Sequence, residues 1–171
     1  QKERPDLFSW HANFLRINRR KTVILNNDAS NYTVVLYGMK KEDFLKFPER
    51  VKEGIRRAFK LEGIKDSLIN KYLSEFKDFT FQKANNRSYI GRLNYSCKMT
   101  ERYADRFNFN QKEIYQSEIA RKISDIPTKE DNEYFYPNER LREELTEYYG
   151  EDDIIKTEAA ILKVELELGE Y

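Results

Sequence analysis

NFLRINRRKTVILNNDASNYTVVLYG, residues 13–38, holds three apolar-rich runs separated by polar turn formers. Residues 13–17 (NFLRI) and 22–26 (TVILN) flank NRRK, which reads as a β-hairpin whose tip carries Arg19, Arg20 and Lys21. After the turn-forming cluster NNDASN, YTVVLY (32–37) supplies a third strand ending at Gly38. The three runs predict an antiparallel meander. Both faces of its middle strands are apolar, which calls for helices over one face and a further layer or strand over the other.

From Lys41 the hydrophobic period changes. Val51, Ile55 and Phe59, spaced by four, predict an amphipathic helix starting near Pro48 and ending near Gly63. Ile64, Leu68, Tyr72 and Phe76 repeat that step as a second helix, and FTFQ (79–82) alternates as a short strand. Ser88 is placed to cap a third helix through Phe107, with Leu93, Cys97 and Ala104 along one stripe. A fourth helix is expected over 111–124, followed by a linker-like segment, SDIPTKEDNEYFYPNE, whose aromatics must dock. Pro137 opens a last helix that Gly150 closes. ILKVELELGEY (161–171) alternates as a half-buried strand that needs an edge to pair with. The expected fold class is therefore α+β: a three-stranded antiparallel meander packed with four to five helices, plus a C-terminal strand. Residues 1–150 read as a single domain, and 151–171 as a strand segment that pairs with the sheet or opens a further domain.

The 171 residues suffice for one ordinary core, and an aromatic share of 14% is too high for a disordered chain. Cys97 and His11 are the only residues of their kinds, which excludes an internal disulfide and a Cys/His zinc site within one chain. A reducing, cytoplasmic setting is expected, with no cofactor. No apolar run approaches the roughly 18 residues of a transmembrane helix, and QKERPDLF has no signal core, so no membrane partner is expected. Lacking an initial Met, the chain is expected to be a piece of something longer.

The net charge of +1 conceals an asymmetry: residues 1–107 carry 23 Lys/Arg against 13 Asp/Glu, and residues 108–171 carry 8 against 17. A basic N-terminal part of this kind suits a binding face for nucleic acid or an acidic protein, with the acidic part folding against it or competing for it.

Three stretches could carry chemistry. Arg19, Arg20 and Lys21 could meet phosphates, with Arg16 near them and Trp10, Phe14 and Tyr32 available to stack on bases. His11, with Asn13, Arg16 and Asp28, could assemble a general base, its orienter and an anion clamp. NNRSYIGR (85–92) could hold an anion at a helix start, with Ser88 as cap beside Arg87 and Arg92, although an ordinary capped helix looks the same. There is no GxxxxGK[ST], GxGxxG or GxSxG, so nucleotide loops and serine hydrolases lose their usual support.

WHANFLRINRRK (10–21), LNND (25–28), YTVVLYG, KKEDF (40–44) and NRSYIGRLN (86–94) together resemble an uncharacterised bacterial family known only as a domain of unknown function. The resemblance spans residues 9–107 and rests on the specific W-H-x-N-x-L-x-I-N-R-R-K core. Members carry a short stretch ahead of the tryptophan that is mostly missing or diverged here. The resemblance implies an α+β domain without assigned activity. It marks Trp10, His11, Asn13, Asn18, Arg19, Arg20, Lys21, Asn27, Asp28, Asn86, Arg87, Ser88 and Gly91 as motif positions, with no roles attached. More weakly, ILKVELELGEY is similar to the opening strand of a plasmid-borne, mobile-element passenger family.

The leading expectation is a binding module for nucleic acid or an acidic protein, acting through Arg16, Arg19, Arg20, Lys21 and Arg87 with Trp10, Asn13 and Ser88 beside them. A metal-independent phosphodiesterase or nuclease using His11 with Asp28 is the enzymatic alternative, and a structural or assembly domain is the third. Convergence of Trp10, His11, Asp28 and Arg87 on one cleft would favour a site, whereas His11 packed away with the cations splayed into solvent would favour an ordinary structural hairpin; any site is expected at the hairpin base and not at its cationic tip.

Overall fold

Asn18 and Arg19 both take left-handed backbone conformations, with φ of 51° and 66°. Two successive residues of this kind form the tight turn whose twist matches that of paired strands. In the computed structural model, which describes residues 5–76, 86–107 and 109–150, this turn joins β1 (Trp10–Ile17) to β2 (Arg20–Asn27). The ladder runs from Ile17 opposite Arg20 to Trp10 opposite Asn27. The hairpin is thus longer than the apolar runs suggest. Arg20 and Lys21 lie in β2, Trp10 to Ala12 lie in β1, and the tip is Asn18 and Arg19, not NRRK. A two-residue turn leaves every flanking residue free to pair, whatever its polarity.

β3 (Thr33–Leu36) pairs antiparallel with β2, giving the order β1-β2-β3. Asn27 shapes the loop between them. Its side-chain oxygen accepts from the Ser30 N–H (3.1 Å) and hydroxyl (2.8 Å), while its NH2 donates to the Leu7 carbonyl (2.8 Å).

Alternation sorts the sheet's side chains into two cores. Val23, Leu25, Val34 and Leu36 pack against α2 (Phe47–Leu61), α3 (Asp66–Ser74) and α6 (Pro137–Tyr149) through Ile55, Phe59, Leu68, Tyr72 and Leu141. Ile17, Ile24 and Val35 pack against α4 (Arg87–Phe107) and α5 (Ser117–Ser124) through Leu93, Cys97, Ile119 and Ile123. Helices therefore cover both faces. On the second face, buried polar groups satisfy one another, as burial demands. Asn26 donates to Ser96 and Asn31 (3.0 Å each) and accepts from the Thr33 hydroxyl (3.0 Å).

The structure differs from the expected elements at four further places. A short α1 (Lys41–Leu45) precedes α2, with Asp43 accepting from the Lys40 N–H (2.8 Å) and the Arg50 guanidinium (2.9 Å). Asn86, not Ser88, caps α4, its Oδ1 accepting from the N–H groups of Ser88 (3.0 Å) and Tyr89 (3.3 Å). The helix expected from residue 111 starts at Ser117, because the segment before it lies along β3. There the Tyr37 N–H donates to the Ile114 carbonyl (2.7 Å) and the Gln116 N–H to the Val35 carbonyl (3.1 Å), satisfying groups that a bare sheet edge would leave unpaired. The linker-like stretch contains a hairpin, β4 (Thr128–Glu130) and β5 (Glu133–Phe135), turned by Asp131 and Asn132 at φ 49° and 68°. The strands expected over 79–82 and 161–171 lie outside the described residues. Among the described residues no helix is long and apolar enough to cross a membrane.

α6 is held to the end of α2 by Glu62, 2% exposed, which accepts from the Tyr32 hydroxyl (3.0 Å) and from Arg142 (3.0 Å). Burial pushes the Glu62 carboxyl above its ordinary value, against the pull of Arg142 and Tyr32. Near its middle, α2 approaches the sheet so closely that a Cβ on Gly54 would lie 2.8 Å from Leu36 and 3.1 Å from Val34. Gly91 of α4 has nothing within 4 Å of such a Cβ. Gly91→Ala should therefore gain about 0.5–1 kcal/mol of helix propensity. Gly54→Ala should lose about 1–3 kcal/mol by overpacking despite the same gain. Thermal unfolding of the two variants checks this: Tm should rise for the first and fall for the second.

Candidate functional site

Strand alternation in β1 divides the residues that looked like one constellation. Trp10, Ala12, Phe14 and Arg16 share one sheet face, and His11, Asn13, Leu15 and Ile17 the other. Trp10 packs at 6.5 Å from the Phe59 ring and donates from Nε1 to the Tyr72 hydroxyl (3.1 Å), which itself donates to the Leu7 carbonyl (2.6 Å). Tyr32, expected to be free to stack on bases, is fully buried and bonded to Glu62, because its position in the meander points it into the core.

On the opposite face, His11 Nδ1 lies 2.5 Å from Asp28 Oδ1, the two side chains being 19% and 9% exposed. Asp28 directly follows β2, so the ladder that sets Trp10 opposite Asn27 also brings the carboxylate to the imidazole. The Tyr89 ring of α4 lies 5.0 Å from the imidazole, with the Arg92 guanidinium 5.7 Å from the Tyr89 centroid. Arg92 reaches Glu130 of β4 at 3.3 Å, and Arg140 of α6 reaches the same oxygen at 2.5 Å. Burial raises the Asp28 carboxyl above its ordinary value, the hydrogen bond and charge of His11 pulling the other way and Asp6 adding to the rise. An aspartate on Nδ1 orients an imidazole and leaves Nε2 as the nitrogen able to exchange a proton. The bond also ties the start of β1 to the residue after β2, with the Tyr89 ring of α4 beside the imidazole. Among the described residues no three His, Cys, Asp or Glu side chains gather into a group able to hold a metal ion.

The cations of the hairpin serve different ends. Arg20 donates to the Gln111 carbonyl (2.8 Å) and lies over the Tyr37 ring (5.6 Å), tying the tip to the loop before α5. Arg19 is exposed in the turn, its carbonyl accepting from Arg16 Nη1 (3.4 Å). Arg16 and Lys21, opposite each other across the ladder, line a concavity of about 560 Å³ with Phe14, Leu15 and Phe44. Phe14 is 58% exposed and sits 5.9 Å from Phe44 and 6.3 Å from Phe47, with Lys21 5.9 Å from the Phe44 ring centroid. Leu45, next to Phe44 in sequence, is 77% exposed. Arg87 and Ser88 are exposed in the first turn of α4, away from this concavity.

His11 and Asp28 are thus brought together, and so are Arg16 and Lys21. Trp10 and Arg87 join neither as part of one cleft. Asn13 accepts from the Phe14 N–H (2.9 Å), and burial pushes the Cys97 thiol up to about 11 against the pull of the Asn13 side chain, as suits a small buried hydrophobe. Sequence reasoning missed Phe44, Tyr89 and Glu130. Phe44 had one visible signal, an aromatic residue inside the otherwise charged KKEDF.

One family model matches residues 1–140, described as Domain of unknown function (DUF6933). No curated protein and no solved structure matches.

A carboxyl whose folded-state pKa is raised holds its proton more tightly in the fold than in the unfolded chain. Its contribution to stability is therefore full below the ordinary value of 3.8 for Asp28 and is lost as pH rises through the folded value. Asp28→Asn should flatten the Tm against pH curve just above 3.8, by an amount that thermal melts in an acid pH series would read. Identical slopes would show that Asp28 contributes no such linkage.

Proposed function

The chain belongs to this family of unknown function, and on the geometry alone we propose that it is a binding module for a negatively charged macromolecular partner, nucleic acid or acidic protein. One observation carries the reading: Phe14 stands 58% exposed on a concavity whose other walls include Arg16 and Lys21. Leaving a phenylalanine in water costs the hydrophobic gain of its burial, about 1.5–3 kcal/mol, and a partner that covers it recovers that gain. The two cations supply the salt-dependent attraction, and Arg19 at the nearby turn extends it. Arg20 and Arg87 are not part of this surface. A cytoplasmic location and a bacterial, mobile-element setting belong to the same proposal.

A fluorescein-labelled (dT)15 and poly-glutamate, each titrated over a salt series, test it. At least one should bind, with affinity falling linearly in log–log form as salt rises. Phe14→Ala should weaken binding by about 1–3 kcal/mol if bases stack on it, and Arg16→Ala with Lys21→Ala should reduce the salt slope. No binding of either probe at low salt, or full binding by these variants, would end the reading.

A second reading, a metal-independent phosphodiesterase, is favoured by the 2.5 Å contact of His11 with Asp28. Here turnover of a phosphodiester substrate should vanish in His11→Ala while the far-UV spectrum stays unchanged. Turnover retained by that variant would exclude it.

A further inference from the structure

The two edges of the three-stranded sheet are treated differently. β3 is covered by the segment before α5, through the Tyr37 and Gln116 amides and the bridge of Leu36 with Tyr115. Among the described residues no strand pairs with the outer side of β1. The two-residue turn makes Ile17 and Arg20 the first hydrogen-bonded pair of the ladder. Every second residue from there, Leu15, Asn13 and His11, then bonds toward β2. Trp10, Ala12, Phe14 and Arg16 direct their N–H and C=O groups outward. The Phe14 amide bears this out, since its N–H donates at 2.9 Å to the side chain of Asn13, a substitute for a neighbouring strand.

The outward edge and the aromatic concavity are the same place. Ala12, Phe14 and Arg16 share one face of β1, and Val23 and Lys21 stand opposite Phe14 and Arg16 on β2. A nucleic acid would use the rings and cations and ignore the backbone groups. An extended peptide uses all three.

Building on the binding reading above, we infer that the partner is an acidic protein segment that adds to the outer edge of β1 as a further strand. Its chemistry follows from the pleat, because residues of the added strand that lie opposite Ala12, Phe14 and Arg16 share their face. The segment carries apolar side chains opposite Ala12 and Phe14, covering Phe14 and Phe44. Two residues further it carries an acidic side chain opposite Arg16, within reach of Lys21. The pattern is apolar, any, apolar, any, acidic, read in one direction or the other.

The test uses the full chain and the labelled peptide TVTVTETG, with two copies N-methylated at alternate residues, one in each phase. Methylation leaves every side chain and charge unchanged and removes only the amides on one side of a strand. The unmodified peptide should bind, and one methylated copy should bind at least ten-fold more weakly while the other does not. Phe14→Ala, and Arg16→Glu with Lys21→Glu, should each lower the affinity of the unmodified peptide at least ten-fold. Equal binding by all three peptides, or displacement of the peptide by equimolar (dT)15, would overturn the added strand while leaving the anionic binding surface standing. No binding by any peptide or by poly-glutamate and (dT)15 would overturn both.

Discussion

The two-residue turn at Asn18 and Arg19 is the constraint on which the rest depends. It sets the register of β1 against β2, and in a strand the register decides the face on which every side chain stands. A slip of one residue would exchange Trp10 with His11 and Phe14 with Leu15. It would put the imidazole into the aromatic core beside Phe59 and Tyr72, and leave the indole against Tyr89. Asparagine suits the first left-handed position because its short polar side chain tolerates that conformation. Arginine has no such advantage at the second, so its φ of 66° is held by the ladder on either side.

From that register the two cores follow. β2 is buried on both faces from Thr22 to Asn27, which leaves no solvent-facing side for polar residues except at its ends. Asn26 and Asn27, at the far end from the turn, are buried only because each is fully engaged. Asn26 bonds to α4 and β3 side chains, and Asn27 closes the loop to β3 while holding Leu7. The two asparagines stand opposite His11 and Trp10 of β1 respectively. Their polarity serves the architecture, and the pair of His11 and Asp28 continues that pattern by tying β1 to the residue after β2, beside the Tyr89 ring of α4.

The meander and the amphipathic helices were legible because their signals are local. Val51, Ile55 and Phe59 repeat at helical spacing whatever they pack against, and the strand runs are bounded by turn formers. Three features were not legible, each for a physical reason. β4 and β5 have three residues each, too few to show a period. Residues 114–116 look helical in isolation and are drawn out by the unpaired edge of β3, a partner some eighty residues away in sequence. The division of the basic hairpin depended on geometry alone. Arg20 binds a loop carbonyl, while Lys21, one residue on, faces the concavity with Arg16. Of the residues expected at the hairpin base, His11 and Asp28 lie together and Trp10 stands on the far face.

The molecule thus separates a fastening from a surface. At the hairpin base the histidine and its carboxylate are drawn in among Tyr89, Arg92 and Glu130. At the outer edge Phe14, Arg16 and Lys21 are exposed beside the half-buried Phe44, and among the described residues no strand covers them, although the opposite edge of the sheet is covered. The most direct test of that separation is a 15N-resolved NMR titration of the full chain with poly-glutamate and with (dT)15 at low salt. Whichever probe binds should shift the backbone amides of Phe14, Arg16, Lys21 and Phe44 and leave those of His11, Asp28 and Tyr89 in place. Shifts centred on His11, Asp28 and Tyr89, with the outer edge unmoved, would contradict that separation.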